Sequence, residues 1–211
     1  HLRRTCKYLG TNQTAKQFLT HHTGSSFVML TTSGLGDRSH LLVVCAPHSP
    51  PNIQSDHSRR VQPLTGNHLN QLIQAGGNHW RKIFNLYAKL LHGLTPLEPD
   101  WQTCREQRLL QTGSACALVF EQKWIPGHGQ LCIVMGQTYG RSLGWLADDQ
   151  VLPAEHPFVQ HPEQVVIVTP YFDYRQLSNA RLASLVQLIA DEQPHWLTAF
   201  SKRSHQFSAD N

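Results

Sequence analysis

Charge is the first thing this chain lacks. Asp, Glu, Lys and Arg make up 15% of its 211 residues, well under the usual quarter. Histidines and amides fill much of the polar surface instead. The net charge of +4 permits a polyanionic partner without requiring one, and the 14 histidines add charge only below about pH 6.5. No apolar stretch approaches the roughly 20 residues that cross a bilayer, so no membrane partner is expected. No basic-then-apolar leader resembles a secretion signal. The five cysteines are scattered, and none forms a C-x-x-C pair, which argues against a zinc site and a disulfide framework. Cys45, Cys116 and Cys132 lie in apolar runs, where buried free thiols are expected, and a reducing cytoplasm fits that usage. His156 and His161, like His21-His22, lack acidic or cysteine partners at ligand spacing. Neither a metal nor a cofactor is therefore expected. There is no Walker or Rossmann fingerprint and no internal repeat.

What is present is a set of short apolar runs alternating with helical patterns. Residues 1–38 are rich in Thr, Ser, Gly, His and basic residues with little periodicity, and read as a flexible N-terminal extension. Met29 is a candidate natural start within it. An α/β domain is expected over 39–194, followed by a C-terminal tail, 195–211. Leu41–Cys45, Cys116–Phe120, Leu131–Met135 and Val165–Val168 read as buried strands, with 116–135 open to a hairpin reading. Thr65 is placed to cap a short helix that Gly76-Gly77 stops, and Asn78 to cap a second helix running to about His92. In that second helix Trp80, Ile83, Phe84, Tyr87 and Leu91 share one face. A further short helix is expected over roughly 100–111. After the last strand, Leu182, Leu185, Val186 and Ile189 mark a helix that stops before Pro194. Alternating strands and helices argue for a mainly parallel sheet covered on both faces, a three-layer α/β/α domain.

The most informative segment is Thr169-Pro-Tyr-Phe-Asp-Tyr-Arg175, which follows the last strand. Proline ends the strand, having no amide donor. Aromatics and an arginine then sit where open α/β sheets hold their ligands, beyond the carboxyl ends of strands. Three other motifs precede it: Cys45-Ala-Pro-His-Ser49 after the first strand, Asn78-His-Trp-Arg-Lys82 opening a helix, and Met135-Gly-Gln-Thr-Tyr139 after the third strand.

This order resembles the uracil-DNA glycosylase superfamily, especially its mismatch-specific uracil/thymine branch, over residues 41 to 192. GNHWRK and PYFDYRQ are also similar to marks of an uncharacterised bacterial domain family. The glycosylase resemblance implies a cleft between the first and last loops that holds DNA or a nucleobase-containing ligand. Two departures bear on its chemistry. Ala46 falls where the family carries a polar residue that positions water, and an alanine can neither orient water nor take a proton. Thr169 stands where the family stabilises the leaving base with Asn or His. Base excision is therefore not favoured. If it occurs, His48 or a backbone carbonyl would place the water and Thr169 would lie near the leaving base. Asp173 falls where the family often inserts an apolar wedge, and Arg175 matches a basic loop residue.

The candidate catalytic residues are thus His48, Thr169 and Asp173. Tyr171, Phe172 and Tyr174 are candidates for stacking on a base, and Arg175 for a phosphate contact or a pairing with Asp173. Asn78 reads as a cap that can also bind ligand. Gly136, Gln137 and Tyr139 form a strand-to-helix turn able to offer backbone amides to an anion. Two rivals remain. One is a noncatalytic protein-interaction domain, which calls for an apolar, uncharged surface around Tyr171 to Tyr174. The other is a small-molecule enzyme with a phosphate site at the Gly136 turn, which calls for a closed pocket. A continuous basic rim of Arg81, Lys82, Arg141 and Arg175 would favour nucleic acid.

Overall fold

A computed structural model describes residues 30–56 and 60–209. In chain order the elements are β1 (Leu30–Thr31), β2 (Gly34–Gly36), β3 (Leu42–Ala46), β4 (Ile53–Gln54), β5 (Val61–Gln62), α1 (His68–Leu94), α2 (Trp101–Gln107), β6 (Cys116–Phe120), β7 (Leu131–Met135), α3 (Gln137–Ser142), β8 (Val159–Gln160), β9 (Val166–Thr169), α4 (Asn179–Glu192) and α5 (Pro194–Ala209). They form an α/β fold whose seven-stranded mixed sheet has the order β5-β2-β6-β3-β7-β9-β8. The central four strands, β6, β3, β7 and β9, are mutually parallel. β2 is antiparallel to β6, and β8 to β9. β1 and β4 pair separately as a two-stranded parallel sheet.

Every residue of the four central strands is buried, as expected when both faces are covered. Side chains alternate across the sheet. Leu42, Val44, Leu118, Ile133 and Ile167 face a core built with α1, α2, α4 and α5, while Val43, Cys45, Val119, Val134 and Val168 pack against Trp124, Trp145 and Leu146. The two covers are unequal. Four helices supply the first, whereas α3 and the long loops carrying Trp124 and Trp145 supply the second. Tyr87 of α1 ties helix to sheet by donating its buried hydroxyl to Ala117 O at 2.8 Å.

Several boundaries differ from the sequence reading. Residues 30–38 belong to the fold: β2 lies inside the sheet with Leu35 fully buried. Its Ser-Gly-Leu-Gly sequence reads as loop because Gly34 and Gly36 carry no strand signal. Yet a Cβ at either would collide with the backbone of β6, so glycine is what lets β2 pair there. The reading of residues 1–29, with Met29 and His21-His22, lies outside the described residues. Residues 116–135 are not a hairpin, since β3 lies between β6 and β7 and is parallel to both. The C-terminal segment is helical, with Trp196 and Phe200 in the core. The break expected at Gly76-Gly77 is present: α1 is two helical stretches that meet at Gly77, whose φ of 61° and ψ of −151° are not helical and are almost reserved for glycine. Asn78 does not cap through its side chain. Its Oδ1 accepts from Arg81 Nη2 at 2.7 Å instead.

Candidate functional site

Among the parallel strands, β3 comes first in the chain, β6 joins it on one side, and β7 then β9 continue on the other. The order reverses at β3. The chains leaving β3 and β7 therefore diverge at a topological switch point, where open α/β sheets form a crevice at the carboxyl ends of their strands. A cleft of about 740 Å³ lies there, lined by Pro47 and His48 after β3, Glu121 after β6, Met135 to Tyr139 after β7, Ser142 and Leu143 of the α3 turn, and Tyr171 and Gln176 after β9.

Each wall is fixed locally. Gly136 (φ 101°) lets the chain turn from β7 into α3. Its amide donates to Thr169 O at 2.9 Å, and a Cβ there would lie 3.4 Å from the Tyr171 ring. Gln137 Oε1 accepts from Leu152 N at 2.9 Å. That bond orients the amide, because a backbone N–H must meet the oxygen. Tyr139 donates to Gln122 O at 3.2 Å, and partial burial raises its phenol pKa. Tyr171 stacks on His79, with centroids 5.7 Å apart, and its hydroxyl lies 3.0 Å from His79 Nε2. Burial, followed by the nearby Asp173 carboxylate, pushes its phenol pKa up to about 12.

Glu121 closes the opposite side. It is exposed, has φ 54°, and its amide donates to Ala46 O at 3.0 Å. Its Oε1 accepts both Ser49 N at 3.1 Å and Ser49 Oγ at 3.3 Å. Glu121 shares this left-handed backbone with Asn52, Leu110 and Ala115, none of which lines the cleft.

The cleft thus unites His48, Gly136, Gln137, Tyr139 and Tyr171 of the candidates named from sequence. The other candidates lie elsewhere. Thr169 is fully buried, and its hydroxyl is directed at main-chain oxygens, Pro170 O at 2.9 Å and Val134 O at 3.4 Å. Phe172 is fully buried among core residues, so it is not available to stack on a ligand. Asp173 binds Lys82 Nζ at 2.7 Å through Oδ2 and Arg175 N at 2.9 Å through Oδ1. The Lys82 hydrogen bond, then the Arg175 amide, holds its carboxyl below the ordinary range. Asp173 therefore orders the loop, but its partner is Lys82 rather than the Arg175 side chain. Tyr174 faces α1, accepting from Asn85 Nδ2 at 3.1 Å under Lys89 Nζ, 5.1 Å from its ring centroid. Arg175 and Asn78 are exposed and do not line the cleft.

Glu121, Ser49, His79 and Gln176 were not legible from sequence as site residues. The hairpin reading of 116–135 conceals Glu121, because it would send the ends of β6 and β7 to opposite edges of the sheet. No described helix is long and apolar enough to cross a membrane. No group of three or more possible metal ligands occurs among the described residues.

Fold and cleft together define an open, mixed α/β domain with a ligand-sized crevice at its switch point. The chain belongs to a family of unknown function, DUF6942, whose model matches residues 33–190. That span begins at β2 and ends within α4, so it too takes in residues before 39. No curated protein and no solved structure gives a significant match.

Proposed function

We propose that the switch-point cleft binds a nucleobase-like ligand, either free or presented by nucleic acid, in a uracil-DNA glycosylase-like arrangement. The observation that carries this reading is the convergence of three loops, Pro47-His48, Gly136–Tyr139 and Tyr171, on one cleft. Those loops hold three of the four motifs on which the resemblance rests. The cleft supplies two tyrosines, a histidine, a glutamate and two glutamines, which suits a flat heterocycle needing stacking surface and a few directional hydrogen bonds.

A small ligand is favoured over a long polyanion. No Lys or Arg lines the cleft. Of the candidate basic rim, Lys82 is balanced by Asp173, and Arg141 turns to Ala147 O and Gln150 O. The same absence of cations, beside the Glu121 carboxylate, disfavours a phosphate at the Gly136 turn. The protein-docking alternative loses support because the loop surface is neither apolar nor uncharged: Phe172 is buried and Asp173 is ion-paired. Base excision is not part of this proposal, given Ala46 and the committed Thr169 hydroxyl.

The test is binding of free nucleosides by calorimetry, together with anisotropy on single-stranded, matched and G·U-mismatched oligonucleotides at two salt concentrations. Nucleoside binding that weakens on Tyr171→Ala, with only salt-sensitive and sequence-indifferent association of the oligonucleotides, is the expected result. Failure of every nucleoside and oligonucleotide to bind at low salt would overturn the reading.

A further inference from the structure

The two hydrogen-bonding groups best fixed at the cleft have opposite and definite polarity. The Glu121 carboxylate can only accept. Its Oε1 already accepts two hydrogen bonds from Ser49, whereas Oε2 makes none among the described residues. Gln137 is the converse. Its carbonyl oxygen is taken by Leu152 N, so the group left for a ligand is the Nε2 amino group, a donor. Both residues line the same cleft, with Tyr139 and Tyr171. The cleft therefore presents the free Glu121 carboxylate oxygen and the oriented Gln137 amide donor beside aromatic rings, with the Gln176 side chain as a second, unoriented amide.

Resting on the nucleobase reading above, we propose that Glu121 is the specificity-determining residue of the cleft and selects a 2-amino-6-oxopurine edge. A guanine edge carries a ring N–H and an amino group side by side, so two N–H groups can converge on one oxygen, and its neighbouring carbonyl suits the Gln137 amide. Other bases fit this pair less well. Adenine and cytosine place an unprotonated ring nitrogen beside the amino group, which repels a carboxylate. Uracil flanks its single ring N–H with two carbonyls, which repel it from both sides. Hypoxanthine keeps the ring N–H and carbonyl but lacks the amino group. The cleft would thus read a base other than the one the motif resemblance brings to mind.

Calorimetric titration of the full chain with guanosine, inosine, adenosine, cytidine and uridine tests this. Guanosine should bind about tenfold or more tightly than inosine, a ratio typical of one hydrogen bond to a charged group, and more tightly than the other three. In Glu121→Gln the side-chain oxygen can still accept from Ser49, which turns an amide donor toward the ligand. The guanosine-to-inosine ratio should then collapse toward one. Equal binding of guanosine and inosine by the unmodified chain overturns the proposal without any variant, as does an unchanged ratio in a folded Glu121→Gln. In both cases nucleosides still bind, so the broader reading survives. If no nucleoside binds, the cleft is not a nucleobase site and both readings fall together.

Discussion

Gly136 is the residue on which the cleft wall turns. Its φ of 101° disfavours any side chain, while a Cβ would only reach ordinary contact with the Tyr171 ring. Gly136→Ala should cost about 1–3 kcal/mol through backbone strain at the turn, read as a lower midpoint in denaturant and a weakened nucleoside isotherm. His40, far from the cleft at the start of β3, sets a different expectation. It is buried, its Nδ1 lies 2.7 Å from Asp37 O, and its Nε2 has no partner. Burial lowers its pKa from 6.5. The unfolded chain therefore takes up a proton at this residue at a pH where the folded chain does not, so stability falls as pH drops below about 6.5. Melting temperatures should decline from pH 7 to 5. The decline should be shallower in His40→Asn, which keeps a donor for Asp37 O but does not titrate. The same steepness in the variant would remove His40 as the cause.

At the scale of elements, the loop after β9 shows how neighbouring residues of one aromatic run separate. Tyr171 lines the cleft, Phe172 enters the core, Asp173 clamps Lys82 of α1, and Tyr174 lies against Asn85 and Lys89. Phe172→Ala should therefore cost about 3–5 kcal/mol. Asp173→Asn should cost no more than about 1 kcal/mol, its ion pair being partly solvated and screened. Equal losses on chemical denaturation would contradict this division. The run was visible in the sequence, but which ring faced the ligand was not, because a loop has no fixed side-chain period. In α1 the helical period was legible because Trp80, Phe84, Tyr87 and Leu91 all seek the same core. Gly77→Ala should destabilise by about 1–3 kcal/mol, since only glycine readily adopts the φ and ψ at the kink.

For the whole molecule, α5 is as integral as the sheet. Trp196 stacks on Phe200 with centroids 4.8 Å apart and donates to Leu41 O at 3.3 Å. Phe200→Ala should lower stability by about 3–5 kcal/mol, an effect no detached tail would produce. Cys45, Cys104, Cys116 and Cys132 are all buried, and burial raises the Cys104 thiol to about 12. At most one of the five thiols should therefore react with an aromatic disulfide reagent before unfolding.

The sequence alone determined the four central strands, because each is a contiguous apolar run whose burial on both faces needs no partner to be recognised. It also determined the amphipathic faces of α1 and α4, and the loops at which to look for a ligand. Tertiary structure decided the rest. The glycines of β2 make sense only against the β6 backbone, and α5 reveals its role only through what Trp196 and Phe200 cover. Glu121 became a site residue only when β3 was seen to lie between β6 and β7. Strand order is set by long-range pairing between segments more than 70 residues apart in the register of β3 with β6, and local patterns of side chains carry no record of it.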